Sequence, residues 1–434
     1  MFKNILKKIV ILILNWEARL IIKKYKPKIV GVTGNVGKTS TKEAVAAVLA
    51  VQYKIRKSEK SYNSEFGVPL TVIGCKTAWN SFLGWILNIY RGLILILFKE
   101  EYPQWLVLEI GADRPGDIKS IVKWIKFDVA IVSRLPDVPV HIEFFKSKEE
   151  VIDEKMSLPL SIRPDGLVVL NADDQNIMSR RDKIKAKVVL YGFSENALVR
   201  ATNDHIMYEE RNEISVPVGL AFKVDSQGNN VPVRVPGAVG SHLVYPILAA
   251  IVTGEELGIN LVKSIEALSA HSTPPGRLHI VPGINSSTIL DDTYNSSPIA
   301  VEAALKTLGQ IETRGYKIAV LGDMMELGSH TAEEHKHIGE LALQVVDILV
   351  TVGVRSKFTY ETALVNGLGQ NKLFHFDSAK DAGEYLKTIV SIGDIVLVKG
   401  SQSMRMERVV VEIMAEPENK TKLLVRQEDE WRRC

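Results

Sequence analysis

Two cysteines in 434 residues exclude a good deal. Cys75 and Cys434 lie far apart, so neither a disulfide framework nor a cysteine metal site can be built from them, and a reducing cytoplasm fits their scarcity. Net charge is also small, at +3, which argues against a basic field wrapped on nucleic acid. Long apolar runs are missing. Ile9 to Leu14 is short and no small-residue cleavage site follows it, so it does not read as a cleavable leader. Phe82 to Phe98 has Arg91 near its centre and falls short of the ~20 residues that span a bilayer. There is no internal repeat and no low-complexity tract. What is present is a globular balance, 46% hydrophobic and 24% charged, in a chain long enough for two or three domains.

Residues 1–27 read as one amphipathic helix, with apolar positions Ile5, Ile9, Leu12, Ile13 and Trp16 and lysines at both ends. From Lys28 the pattern alternates between strands (29–33, 53–56, 105–110, 129–133, 166–171) and helices starting at Lys38, Pro115 and Ser147. That alternation predicts an α/β fold whose mostly parallel sheet receives ligands at its strand C-termini. Residues 193–236 change character: Asp225-Ser-Gln-Gly-Asn-Asn230 between Val-rich runs predicts an antiparallel hairpin insertion. Helices over Ser241–Leu257 and through Leu268 lead to the stop His271-Ser-Thr-Pro-Pro-Gly276, taken as a domain boundary. A second alternation follows, with strands at 287–292, 317–321, 348–352, 373–376 and 394–399, predicting a smaller Rossmann-like domain. The expected division is therefore a helical segment 1–27, a central domain 28–275 with an apolar insertion 76–103 and a β-rich one 193–236, a second domain 276–420, and a tail 421–434.

The richest stretch is Gly31-Val-Thr-Gly-Asn-Val-Gly-Lys-Thr-Ser-Thr-Lys-Glu43, where an apolar strand turns into a helix N-terminus. Gly34, Asn35, Val36, Gly37 and Ser40 can present backbone N–H groups to a polyphosphate, Lys38 can reach its terminal phosphates and the Thr39 hydroxyl can hold Mg²⁺. ATP is the expected ligand. The first glycine of G-x-x-x-x-G-K-[ST] would fall on Val32, so the loop departs from the general pattern. The variant G-hydrophobic-T-G-x-x-G-K-[ST]-[ST] resembles that of the Mur ligases of peptidoglycan synthesis and of their folylpolyglutamate synthase relatives.

Further segments carry the resemblance in order along residues 28–412. Asn63-Ser-Glu-Phe-Gly-Val-Pro-Leu70 and Leu108-Glu-Ile-Gly-Ala-Asp-Arg-Pro-Gly116 resemble the branch that adds D-alanyl-D-alanine to UDP-MurNAc-tripeptide, the MurF branch. His141-Ile-Glu-Phe-Phe-Lys-Ser147 keeps the spacing of a family element, with Phe144 and Lys146 at its usual glycines. Pro275-Gly-Arg-Leu278, Leu290-Asp-Asp-Thr-Tyr-Asn-Ser-Ser-Pro298, Gly322-Asp-Met-Met-Glu-Leu-Gly328 with His335, and Leu397-Val-Lys-Gly-Ser-Gln-Ser403 complete it. Two departures stand out. The element whose asparagines approach adenine reads His242-Leu-Val-Tyr-Pro246, without either amide. The domain that grips the UDP-sugar has no evident counterpart before Lys28, where only the basic helix stands.

The resemblance implies an ATP-dependent peptide ligase working through an acyl phosphate. It assigns Lys38, Glu109, His141, Lys155 and Arg277 to catalysis, with Thr39, Glu109, His141 and Lys155, the last as an N-carbamate, holding Mg²⁺. Arg277 would clamp phosphate and Asp292 would bind the ribose; Asn63, Tyr294, Asn295, Lys399 and Ser401 would line the substrates, a muramoyl-peptide acceptor and an amino acid or dipeptide. Three alternatives stay open: a lipid-linked muropeptide acceptor, a folate-like polyglutamate acceptor, and a membrane-associated P-loop ATPase or scaffold without ligase activity. The missing cysteine cluster argues against the zinc-ribbon-bearing MurT type. Location is expected in the cytoplasm, with peripheral contact at the inner membrane face through 1–27 and 82–98 weighed against internal packing of the same segments. A hairpin is the form expected for 82–98.

Overall fold

A computed structural model describes residues 2–59, 62–63, 66–78, 81–137, 142–211, 214–270, 273–427 and 431, with side chains from Ile9 onward. The chain opens with helix α1 (Phe2–Tyr25) and then builds a sheet from β1 (Lys28–Thr33), β2 (Ile55–Lys57), β3 (Trp105–Glu109), β4 (Val129–Val132), β5 (Leu167–Asn171), β6 (Lys187–Gly192), β7 (Val199–Arg211), β8 (Ile214–Ser226) and β9 (Asn229–Pro236). These nine strands lie in the order β2-β3-β1-β4-β5-β6-β7-β8-β9. The first six run parallel, and β1 is flanked by β3 on one side and β4 on the other. The connection leaving β1 runs to β2 on one side and that leaving its neighbour β4 runs to β5 on the other, which opens a crevice at their C-terminal ends.

The strand residues show why both faces are covered. In β1, Val30 and Val32 join one core and Ile29 the other, so a continuous apolar run feeds two helix layers. On one side lie α2 (Lys38–Leu49) and the helix Val244–Glu256; on the other lie α1 and α3 (Gly67–Ile73). The 193–236 segment holds the expected antiparallel hairpin, β8 with β9, and adds a third strand and a tie to the first sheet. Its three antiparallel strands β7, β8 and β9 extend the same sheet, because Tyr191 and Gly192 of β6 pair parallel with Val199 and Arg200. Its second reversal is tight, with Gln227 (φ 49°) and Gly228 (φ 82°) both left-handed.

A second sheet follows, made of β10 (His279–Pro282), β11 (Thr288–Asp292), β12 (Lys317–Gly322), β13 (Ile348–Val352), β14 (Leu373–Phe376) and β15 (Ile395–Lys399) in the order β10-β11-β15-β12-β13-β14. Only β10 is antiparallel.

The apolar insertion is one helix, α4 (Phe82–Leu97), not a hairpin. No turn chemistry interrupts its sixteen residues. Ser81 caps its start by accepting from the Gly84 N–H, and the Lys24 ammonium caps its end on the carbonyls of Leu95, Ile96 and Phe98. α4 lies against α1, whose Leu14, Ala18 and Ile21 are fully buried. Gly92 is needed at that crossing, since a Cβ there would stand 2.2 Å from Glu17 Oε2. Glu17 is itself buried with neither oxygen hydrogen-bonded, and burial pushes its pKa up to about 7. Among the described residues no helix is long and apolar enough to cross a membrane.

Candidate active site

The two sheets turn their strand C-termini toward one cleft of about 620 Å³. From the first sheet come the loop 34–37 and the start of α2. Gly34 has φ 141°, and a Cβ there would fall 2.1 Å from Ser133 Oγ, so the loop can lie against the end of β4 only without a side chain. The Asn35 N–H donates to the Arg134 carbonyl at 2.7 Å, and Ser133 Oγ donates to Val36 O at 2.7 Å. Gly37, left-handed at φ 85°, then opens α2 with no side-chain cap, leaving the first-turn N–H groups facing the cleft.

Lys38 reaches the Asn35 carbonyl at 3.1 Å. Its pKa is lowered, chiefly by burial, while Glu109 and Asp113 pull the other way. The Thr39 hydroxyl donates to Glu109 Oε2 at 2.9 Å, joining two hard oxygen donors at the ends of adjacent elements. Glu109, at the end of β3, is only 2% exposed. Its charge is balanced from behind by Lys42, fully buried, 4.0 Å from Glu109 Oε2 and 3.0 Å from Glu43. Lys155 lies in the same cleft, 1% exposed, its pKa drawn down to about 7 by burial and then by the Lys38 ammonium. Asn63 lines the cleft too, and its carbonyl accepts from the Gly111 N–H at 3.0 Å. His141 lies outside the described residues, and among those described no group of three His, Cys, Asp or Glu side chains is arranged to hold a metal.

The second sheet supplies the facing wall. Asp291 and Asp292 end β11 with their side chains in different roles. Asp291 points inward, accepting from Thr293 N–H and Oγ1 and from the Gly276 N–H, which ties the Pro275–Leu278 turn to the strand end. Asp292 faces the cleft and pairs with Lys399 at 2.7 Å, and Lys399 also donates to the Asn295 carbonyl at 2.9 Å. Arg277 stacks its guanidinium 4.3 Å from the Tyr294 ring centre, and its buried Nε has no hydrogen-bond partner. An unpartnered guanidinium N–H in a cleft is a donor for an anion. Ser401 Oγ accepts from the Met325 N–H, which fixes the loop after β12. His335 lies deeper: its Nε2 accepts from the Met324 N–H and its Nδ1 lies 2.7 Å from the Thr331 carbonyl, so it braces that loop as a buried imidazole.

Residues 90–254 match the Mur ligase middle domain and residues 276–402 the Mur ligase glutamate ligase domain. The chain is 26% identical over 404 residues to the UDP-N-acetylmuramoyl-tripeptide–D-alanyl-D-alanine ligase of Bacillus subtilis, covering 92% of this chain and 79% of that one. Against the enzyme of the same name from Escherichia coli K12 the identity is 28% over 389 residues, covering 88% and 76%. The crystal structure of MurF ligase from Thermotoga maritima in complex with ADP superimposes with a TM-score of 0.74 at 25% identity, covering 94% of this chain and 84% of that one. The chain belongs to the Mur ligases and is MurF-like.

In this Mur ligase the cleft thus gathers every expected site residue that the structure describes except Gly34: Gly37, Lys38, Thr39, Ser40, Asn63, Glu109, Lys155, Arg277, Asp292, Tyr294, Asn295, Lys399 and Ser401, with Asn35 and Val36 along the loop. Gly34 stands behind it, holding the loop on β4. Sequence reasoning missed Asp113, Ser133, Arg134, Asn171 and Trp431, all of which line the same cleft. Strand-end position could have pointed to Ser133 and Asn171; nothing local marks Trp431, which arrives from the tail. Where the family's asparagines are replaced, His242 and Tyr245 line the wall. Burial lowers the His242 pKa to about 4, so it is a neutral imidazole, and Tyr245 meets Phe193 edge-on at 5.4 Å.

Proposed function

We propose that this chain is an ADP-forming, ATP-dependent ligase that joins D-alanyl-D-alanine, or a close amino analogue, to the carboxylate of a muramoyl tripeptide in the cytoplasm. The observation that carries this reading is the opposition, across one cleft, of Lys38 and the Thr39–Glu109 pair to Arg277, Asp292 and Lys399. The names of the B. subtilis and E. coli relatives support the substrates. We read 28–275 as the nucleotide-binding unit and 276–420 as the unit that closes on it.

A carboxylate is a poor electrophile. In the proposed reaction its oxygen attacks the γ-phosphorus of ATP, the bond to ADP breaks, and the acyl phosphate that results is attacked at carbon by the amine, releasing phosphate. Lys38 and the α2 N-terminus neutralise charge on the transferred group, as the unpaired Arg277 N–H does from the facing wall. Asp292, held by Lys399, offers its second oxygen to the ribose. Tyr294, Asn295, Lys399 and Ser401 border the amine, and Asn63 the acceptor. Mg²⁺ fits the hard oxygen pair of Thr39 and Glu109 and supplies further neutralisation of phosphate charge when bound. A second Mg²⁺ would be held by Glu109, His141 and Lys155 as a carbamate. Burial beside Lys38 supports that modification, because it favours the uncharged amine that takes up CO₂.

The test is ADP release and product mass with ATP, UDP-MurNAc-tripeptide and D-alanyl-D-alanine, each omitted in turn. Amide product that needs all three is expected. ATP turnover indifferent to both partners, with no amide formed, would overturn the reading.

A further inference from the structure

α4 is built inside out. Its polar side chains are satisfied within the protein: Asn88 donates to the Lys76 carbonyl at 2.9 Å, and Arg91, its side chain 42% exposed, makes a two-pronged pair with Glu100 at 2.9 and 2.6 Å. Its outward arc is wholly apolar. Phe82, Leu83, Leu87, Tyr90, Leu97 and the following Phe98 are each between 61% and 72% exposed. α1, packed alongside, adds Leu12 at 69% and Trp16 at 53%. Single exposed leucines need no account, but a helix that spends its whole solvent arc on large apolar and aromatic groups does. The arc is held in place by the Ser81 cap and by Lys24 on the three terminal carbonyls, so it is a fixed surface.

Charge selects the occupant. Residues 1–28 hold eight of the 54 Lys and Arg but only one of the 51 Asp and Glu, so they carry +7 while the rest of the chain carries −4. The single acid, Glu17, is buried, and Arg19, Lys23, Lys26 and Lys28 are exposed along or just after α1. A second copy docked by a two-fold contact would bring +7 against +7. An anionic bilayer attracts the same charge and dissolves the same apolar arc. The length of α4, sixteen residues or about 24 Å, is too short to span the ~30 Å hydrocarbon core, which suits it to lie in the interface plane.

We propose that the α1–α4 layer is a monotopic docking face by which this protein lies on an anionic lipid surface, α4 sunk at the headgroup boundary and the basic residues of α1 against the lipid phosphates. The face lies outside the cleft and its residues take no part in the chemistry above, so its failure and that of the ligase reading can be told apart.

The test uses the full-length protein in co-sedimentation with vesicles of phosphatidylcholine alone or with 30 mol% phosphatidylglycerol, at 50 and 500 mM NaCl. Most of the protein is expected in the pellet with the anionic vesicles at low salt, and several-fold less at high salt or without phosphatidylglycerol. Leu83→Glu/Leu87→Glu should abolish binding, and Arg19→Glu/Lys23→Glu should weaken it roughly tenfold or more at low salt, both with the melting temperature and the solution ligase activity of the parent, since all four side chains are exposed. Absence of binding to anionic vesicles at 50 mM salt overturns the proposal, as does binding that the Leu83/Leu87 variant retains. A concentration-dependent dimer, broken by Leu83→Glu/Leu87→Glu in the absence of vesicle binding, also overturns it and assigns the face to a second copy.

Discussion

The cleft and the α1–α4 layer break the ordinary partition of residues in opposite senses. In the cleft and just behind it, charged groups are buried: Glu109, Lys155 and Lys399 line it, Lys42 backs Glu109, and each is at most 2% exposed. On the α1–α4 layer, apolar groups are exposed while the one acid, Glu17, is buried without a partner. Both arrangements cost stability in the isolated chain, by desolvating charge in one place and wetting hydrocarbon in the other. The difference lies in how each is offset. The cleft is nearly self-balanced, with lysines set against Glu109, Glu43 and Asp292, and leaves only particular donors such as Arg277 Nε open. The flank has no internal compensation for its outward arc, which is why it points to a surface and the cleft points to a small molecule.

Substitutions can break that contrast in order of size. Lys38→Ala and Glu109→Ala should each lower amide formation by roughly 10³-fold or more while the fold stays intact, because Lys42 retains Glu43 and the Ser58 carbonyl. Ligation at the parent rate by either variant would remove the phosphate and metal roles. Asp292→Asn should cost about 3 kcal/mol of stability by stranding the buried Lys399 ammonium, read as a lower midpoint in urea; an unchanged midpoint would show that the pair is not closed in solution.

Lys155→Ala should lose about 10²-fold in rate and regain part of it with added short carboxylates, and ¹³C-labelled bicarbonate should give a carbamate signal in the parent but not in the variant. An unmodified amine in active enzyme would end that assignment. The smallest effect belongs to the flank. Glu17 has a folded pKa near 7, above its ordinary value of 4.5, so it penalises the folded state as pH rises through that window and not below it. Glu17→Gln should therefore stabilise by about 1–3 kcal/mol at pH 8 and leave stability unchanged at pH 4. Equal effects at both pH values would mean that the carboxyl reaches solvent.

Much of this was legible along the chain because it is local. The strand ends 33, 171, 292, 352, 376 and 399 are marked by apolar runs broken by polar or glycine residues, and the glycine-rich loop 34–37 is a contiguous segment whose glycines demand one backbone path. What was not legible depends on encounters between distant segments. Trp431 reaches the cleft from the tail, Lys42 sits behind Glu109 because α2 crosses the end of β3, and β7–β9 continue the first sheet because β6 leaves its edge unpaired.

By itself the sequence determined the alternation of strands and helices, the glycine-rich turn between β1 and α2 and the identity of the groups that carry charge, since each follows from spacing within a few residues. The tertiary structure alone decided which charges face one another and which face of α4 is wet. Helix periodicity specifies that an apolar arc exists, but only the position of α1, with Glu17 against Gly92 and Lys24 on the end of α4, sets the direction in which that arc points.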